Sequence, residues 1–206
     1  NIKEVYIPAS VRTIGESSAL GNHILDKLVV DEKNLNYASY DNDLYDKSFE
    51  TLYKCNKIGD VVLRDGVKKI IFGTFLNSGV TSIKFPESLE TITGTNAIPS
   101  SVTYLYIPKN ATNIMSASIA HVKEIEVSEE NTKYKSIDNK YLVSKDGKTL
   151  YFASYDLANI NDLPETIETI EGYAFYLHAN LLEVNLKAPI KEIKYRAFDS
   201  CSSLKK

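Results

Sequence analysis

Tryptophan is absent from the 206-residue chain, methionine occurs once, cysteine twice and histidine three times. The sequence contains no zinc-type cysteine spacing, Gly-rich phosphate loop or Ser/His/Asp grouping, and its carboxylate pairs are scattered. It therefore offers no catalytic constellation and calls for no cofactor. Blocks of Lys or Arg are missing too, and the net charge is −3. That argues against a phosphate-backbone partner, so no nucleic acid is expected. The longest apolar runs are a few residues, far short of the roughly 20 that a membrane-spanning helix needs. Long helical stripes of Leu, Ala and Glu are not found either. No signal-peptide pattern opens the chain. Asn1 leads directly into a strand-like run, and Ser203 to Lys206 break off where a new run begins. Both ends read as cut from something longer, with targeting and anchoring segments outside this stretch.

What is abundant is tyrosine, 14 in all, with Val, Ile and Thr, residues that favour extended structure. They fall into a repeat. With Φ for an apolar residue, the pattern Φ-x-x-Φ-x-Φ occurs at Ile2, Val5, Ile7; at Leu25, Leu28, Val30; and at Ile58, Val61, Leu63. It continues at Val80, Ile83, Phe85; at Val102, Leu105, Ile107; at Val122, Ile125, Val127; and at Leu181, Val184, Leu186. A degraded copy ends at Leu163, with Asn161 in its middle slot. Pro8, Pro86, Pro108 and Pro164 directly follow the last Φ, and proline, lacking an N–H, ends ladder pairing there. A second half, Φ-x-x-Φ, follows: Val11 and Ile14, Val67 and Ile70, Leu89 and Ile92, Ala111 and Ile114, Ile167 and Ile170, Ile190 and Ile193. Phe75, Phe175, Phe198 and Ile119 stand five residues beyond.

Five of the seven steps between successive strand ends are 20 to 23 residues, and the two longer steps carry insertions that match each other. Asn34, Tyr37, Ser39 and Asp41 correspond to Asn131, Tyr134, Ser136 and Asp138. After one extra residue Leu44, Lys47, Thr51, Leu52 and Tyr53 correspond to Leu142, Lys145, Thr149, Leu150 and Tyr151. Lys145-Asp146-Gly147-Lys148 is a tight-turn signal, so each insertion is predicted to be a β-hairpin projecting from the array. A period of this length with one strand per unit describes a leucine-rich-repeat solenoid of about eight coils. The predicted fold is thus an α/β-type but predominantly β solenoid, one array over residues 1–206. It has a curved parallel sheet, short return strands or helical turns, and two hairpins near residues 34–55 and 131–153.

Ile7-Pro8-Ala9-Ser10-Val11-Arg12-Thr13-Ile14-Gly15 followed at a distance by Ala197-Phe198-Asp199-Ser200-Cys201 resembles the repeat of the BspA-type leucine-rich-repeat family. Tyr134-Lys135-Ser136-Ile137-Asp138, with Leu142 and the Lys145 to Leu150 turn, resembles that family's interspersed hairpin. The likeness implies a secreted or cell-surface protein, non-enzymatic, that adheres to protein partners such as host matrix or cell-surface proteins. A glycan- or cell-wall-binding role, or that of a spacer in a larger surface protein, is the alternative.

Strand alternation turns the residues flanking the middle Φ away from the core. They are Glu4 and Tyr6, Lys27 and Val29, Asp60 and Val62, Ser82 and Lys84, Tyr104 and Tyr106, Glu124 and Glu126, Glu183 and Asn185. Among them Tyr6, Lys84, Tyr104, Tyr106, Glu124 and Glu126 are the candidate partner-binding residues, because exposed tyrosines are enriched at interfaces. Cross-strand support of the ladder is the competing role. The tyrosines of the insertions are expected to pack these onto the array. Asp41, Asn42, Asp43 and Asp46 group carboxylates that would suit calcium, against a role as solvated turn residues. His23, His121 and His178 sit in different coils, and His178 occupies the turn slot that Cys201 holds in its own coil, which favours a structural role. Cys55 and Cys201 lie about six coils apart, on the order of 30 Å at roughly 4.8 Å per coil. A disulfide needs Cα atoms within about 7 Å, so a bond between them is not expected.

Overall fold

A computed structural model describes residues 2–15, 20, 24–187 and 189–205. The first strands are β1 (Glu4–Ile7) and β2 (Lys27–Val30), then the first insertion with β3 (Tyr37–Tyr40), β4 (Asp43–Asp46) and β5 (Thr51–Lys54). Front and return strands then alternate: β6 (Ile58–Val62), β7 (Lys69–Ile70), β8 (Gly79–Lys84), β9 (Thr91–Ile92), β10 (Tyr104–Ile107), β11 (Asn113–Ile114) and β12 (Glu124–Val127). The second insertion holds β13 (Tyr134–Ile137), β14 (Tyr141–Ser144) and β15 (Thr149–Ala153). The last coils supply β16 (Asn159–Ile160), β17 (Thr169–Ile170), β18 (Glu183–Val184) and β19 (Glu192–Ile193). The result is a predominantly β solenoid of about eight turns.

Each coil starts with a front strand whose Φ residues point inward. Among the middle Φ residues Leu28, Val61, Ile83, Leu105 and Ile125 are buried, and Val5 and Val184 in the outer coils are half-buried. The proline after the strand turns the chain: Val11, Leu89, Ala111 and Ile167 each donate a backbone bond to the carbonyl of the proline three residues earlier. The return strand then buries a second pair, such as Leu89 and Ile92, both fully enclosed. Each such side chain removed from water contributes roughly 1.5–3 kcal/mol. No single coil can collect enough of them to fold alone, and stacking supplies the rest.

In three respects the structure departs from the sequence prediction. The front strands do not form one continuous ladder; they form four parallel pairs, β1–β2, β6–β8, β10–β12 and β16–β18. Between β8 and β10 a side chain takes up one carbonyl, Ser101 Oγ donating to Val80 O at 2.5 Å. The longer hydrogen-bonded sheets lie on the return side, in the orders β11-β9-β7-β5-β4-β3 and β13-β14-β15-β17-β19. The α component is also missing: among the described residues the helical content is one 3-10 turn, Ser116–Ser118. Elsewhere the link from return strand to front strand is irregular turn, as at residues 72–77, 172–177 and 195–200.

The insertions differ most. Each is a three-stranded meander, not a projecting hairpin, and its third strand joins the return ladder: β5 pairs with β7, and β15 with β17. The middle strands β4 and β14 have three consecutive buried residues each, because both of their faces are covered. Period-2 alternation divides those faces between separate cores. Leu142 packs into the central cluster, whereas Tyr141 and Val143 pack into the cluster beyond. Leu44 likewise belongs to the first cluster and Tyr45 to the central one. The insertions are therefore septa that cut the core into three compartments.

The matched residues carry out this junction in duplicate. Buried Asn34 donates to Pro8 O and Val11 O and accepts from the N–H groups of Asn36 and Tyr37. Asn131 does the same with Pro108, Ala111, Lys133 and Tyr134. The Tyr37 hydroxyl accepts the Ile14 N–H at 2.7 Å, and the Tyr134 hydroxyl accepts the Ile114 N–H at 3.2 Å. Where an insertion interrupts the ladder, a phenol stands in for the missing strand. The expected packing role of these two tyrosines is met, with the addition of this bond.

Besides Ile2 and Ile193, which are exposed in the first and last described coils, two apolar slots inside the array were misplaced by the sequence pattern. Ile58 is 68% exposed, because a bulge at Gly59/Asp60 sets Gly59 opposite Val80. In the degraded copy Ile160 is paired with Val184 and fully buried, and Asn161 is exposed. One extra residue between Ile160 and Leu163 shifts the register there.

Candidate functional site

The pair β10–β12 brings four of the six candidate residues onto one patch. Its register sets Tyr104 opposite Glu124 and Tyr106 opposite Glu126. The inward residues Leu105, Ile107 and Ile125 fix the strands from below, and alternation leaves Tyr104 and Tyr106 44% and 40% exposed. Glu124 is exposed and Glu126 half-buried. Partial burial and the nearby Glu126 carboxylate hold the Tyr104 phenol above its ordinary range. The patch thus presents two rings, two carboxylates and few long flexible side chains, a surface with little rotamer entropy to lose on binding.

Lys84 is exposed on β8, the neighbouring front strand. Tyr6 is not part of this patch. It projects from β1 in the first pair, 61% exposed, and its hydroxyl donates to Asp31 Oδ2 at 2.6 Å. β2, the first septum and two further front strands separate it from Tyr104.

The other groups singled out by sequence resolve into structural roles. The carboxylates of the first insertion have protein partners: Asp41 and the fully buried Asp43 both approach Lys57, and Asp46 Oδ1 caps the N–H groups of Glu50 and Thr51. His178 is buried, with Nε2 at 2.9 Å from the carbonyls of Ala153 and Ser154 in the preceding coil. Its counterpart Cys201 donates its thiol to Phe175 O at 3.0 Å, also one coil back. The predicted equivalence of the two positions is thus visible as one contact made twice. His121 stacks edge-on against Tyr155 at 5.1 Å. His23 lies outside the described residues. Cys55 is buried and burial pushes its thiol up to about 12, so it is no nucleophile at neutral pH.

A second concavity, on the return side, was not anticipated from the sequence. A cleft of about 710 Å³ lies beside β11, where the second septum interrupts the ladder. Lys133, Tyr151, Glu171, Tyr173, Lys194 and Tyr195 line it. The available signal was the tyrosine recurring just after a return strand, in Ile170-Glu171-Gly172-Tyr173 and Ile193-Lys194-Tyr195. Those positions belong to turns, which the repeat pattern leaves undefined.

The fold is a predominantly β repeat solenoid whose front strands are paired in parallel. The family model described as BspA type leucine rich repeat region matches residues 42–154 and 147–206, in six copies. The chain belongs to this family. No curated protein matches its sequence. Among solved structures it is similar to the pneumococcal vaccine antigen PcpA, with a TM-score of 0.61 and 18% identity over 99% of this chain and 50% of that one. It is also similar to a leucine-rich repeat protein from Eubacterium ventriosum, with a TM-score of 0.59 and 23% identity over 98% of this chain and 53% of that one. A leucine rich cell surface protein from Faecalibacterium prausnitzii gives 0.56 and 16%, over 98% and 65%. At these identities the likeness defines the fold. The chain spans between half and two-thirds of the length of these proteins.

Proposed function

We propose that this chain is a non-catalytic binding module of a secreted or cell-surface protein, and that it recognises protein partners through the front face of β10–β12. The observation that carries the proposal is the exposed Tyr104/Tyr106 pair set opposite Glu124 and Glu126 in register. Tyrosines on a rigid sheet are suited to a protein interface: large, amphipathic and already ordered. Lys84 and Tyr6 extend the candidate surface along the front face. The surface location draws support from the family and from structural neighbours described as a vaccine antigen and a cell surface protein. No described helix is long and apolar enough to cross a membrane.

The test is a pull-down and surface-binding assay against host extracellular-matrix and cell-surface proteins, with the double variant Tyr104→Ser/Tyr106→Ser as comparison. A partner whose affinity falls at least tenfold supports the proposal. Unchanged affinity removes the front face from consideration. A well-folded chain that binds no protein would instead indicate a spacer.

A further inference from the structure

We propose that the return-side cleft beside β11 binds a neutral oligosaccharide. This site is separate from the front face and does not rest on the reading given above.

Three observations lead to it. The first concerns the free edge of β11, where an extended peptide would dock by adding a strand. Two of the backbone groups it would need are taken. Ile114 N–H is bonded to the Tyr134 hydroxyl, and Thr112 O accepts from that hydroxyl at 3.2 Å and from Lys133 Nζ at 2.7 Å. Ser116 Oγ occupies Tyr151 O at 2.5 Å. Recognition by side chains is therefore favoured over strand addition.

The second observation is charge balance. The cleft holds two lysines, Lys133 and Lys194, and two glutamates, Glu171 and Glu192. Lys194 Nζ is paired with Glu171 Oε2 at 2.9 Å. Lys133 Nζ sits over the rings of Tyr134 and Tyr151, at 5.0 and 5.6 Å from their centroids. Such a lining favours neither an anion nor a cation. It does supply both donors and acceptors, which is what a row of sugar hydroxyls requires.

The third observation is the rings. Tyr173 and Tyr195 stand nearly perpendicular, at 84° with centroids 6.3 Å apart, so the cleft has two differently angled aromatic walls. The apolar C–H face of a pyranose packs on such a ring, and the hydroxyls at its edge reach the charged groups. Tyr173 is also held with φ of 63°, a left-handed conformation that disfavours any residue with a Cβ. At the equivalent points of other coils the chain has Gly73 with φ of 83° and Arg196 with φ of 55°, so the slot takes glycine and larger residues alike.

The experiment is an array of neutral tetrasaccharides built from glucose, mannose, galactose or N-acetylglucosamine. Sialylated and sulfated glycans and a peptide library are printed beside them. The chain should bind at least one neutral tetrasaccharide in preference to the charged glycans and the peptides. Tyr195→Ala and Tyr173→Gly should each weaken that binding at least tenfold, while Tyr104→Ser/Tyr106→Ser leaves it unchanged. Tyr195 is 70% exposed and Tyr173→Gly meets a backbone that accepts glycine, so both variants should keep the wild-type circular dichroism. No neutral ligand on the array, preference for charged glycans or peptides, or binding that survives both variants would overturn the proposal.

Discussion

Replacing Asp43 by asparagine should stabilise the protein above about pH 6 and leave it nearly unchanged below about pH 4. Asp43 is fully enclosed on β4 of the first septum. Its Oδ1 accepts the Asn56 N–H at 2.7 Å, while Oδ2 has no hydrogen-bond partner. Lys57 Nζ approaches Oδ2 only to 3.9 Å and is itself tied to Asp41. Burial pushes the carboxyl from 3.8 up to about 6, with the Asn56 bond and Lys57 pulling in the other direction. Between those two values the folded chain holds a proton that the unfolded chain has released. Stability therefore falls as pH rises from 3.8 to about 6, and stays lower above that. A rise of about two, at roughly 1.4 kcal/mol each, amounts to about 3 kcal/mol at neutral pH. Asparagine keeps the acceptor for Asn56 and removes the charge. Urea unfolding followed by tyrosine fluorescence, on both proteins across about pH 4 to 8, measures the gap, and contributions from other titrating groups cancel in the difference. The gap should open from near zero to about 3 kcal/mol. A gap that stays flat with pH, or a variant less stable at neutral pH, would refute the reasoning.

Other substitutions probe the junctions and the stacked core. Asn131→Ala removes a buried side chain that satisfies two carbonyls and two N–H groups, and should cost roughly 2–4 kcal/mol in the same unfolding assay. Phe175→Ala deletes a fully buried ring stacked on Phe198 at 4.7 Å, with an expected loss of about 3–5 kcal/mol. Gly147→Ala places a Cβ at φ of 79° and within 3.2 Å of Lys135 Nζ, and should lower stability by about 1 kcal/mol. Burial holds the His178 imidazole below its usual range, so the unfolded chain takes up that proton first as pH falls through 6.5. The His178 contribution to melting temperature should therefore fall on acidification below 6.5, opposite in sign to that of Asp43, so the melting temperature of His178→Gln relative to the unsubstituted protein should rise as pH falls.

The sequence was most informative where one residue does one job in every coil. Ile83, Leu105 and Ile125 announce the front strands, and the paired Asn34/Asn131 and Tyr37/Tyr134 announce a duplicated insertion. It was less informative about where the insertion goes. Three consecutive buried residues in β4 or β14 break the alternation that marks a strand exposed on one face, and only the packed structure shows that both faces are covered. A fixed-spacing pattern misplaced the slots at Ile58, where a bulge preserves the ladder while moving the side chain, and at Ile160, where one extra residue precedes Leu163. For the candidate surfaces, outward-facing Tyr104 and Tyr106 follow from strand periodicity. The cleft does not, because Tyr173 and Tyr195 come from turns whose left-handed residues carry no period-2 signal.

The septa also bear on how the array would fail under load. A solenoid with an unbroken core transmits a defect from each coil to the next, because every layer rests on its neighbour. Here β4 and β14 bound three compartments whose rims are already closed by asparagine and tyrosine side chains. Peeling one compartment away leaves the next with its edge groups satisfied, so a tear started at one end meets a fresh barrier at each septum. Pulled along its length, the array would lengthen in three steps and bear its load through the compartments still closed.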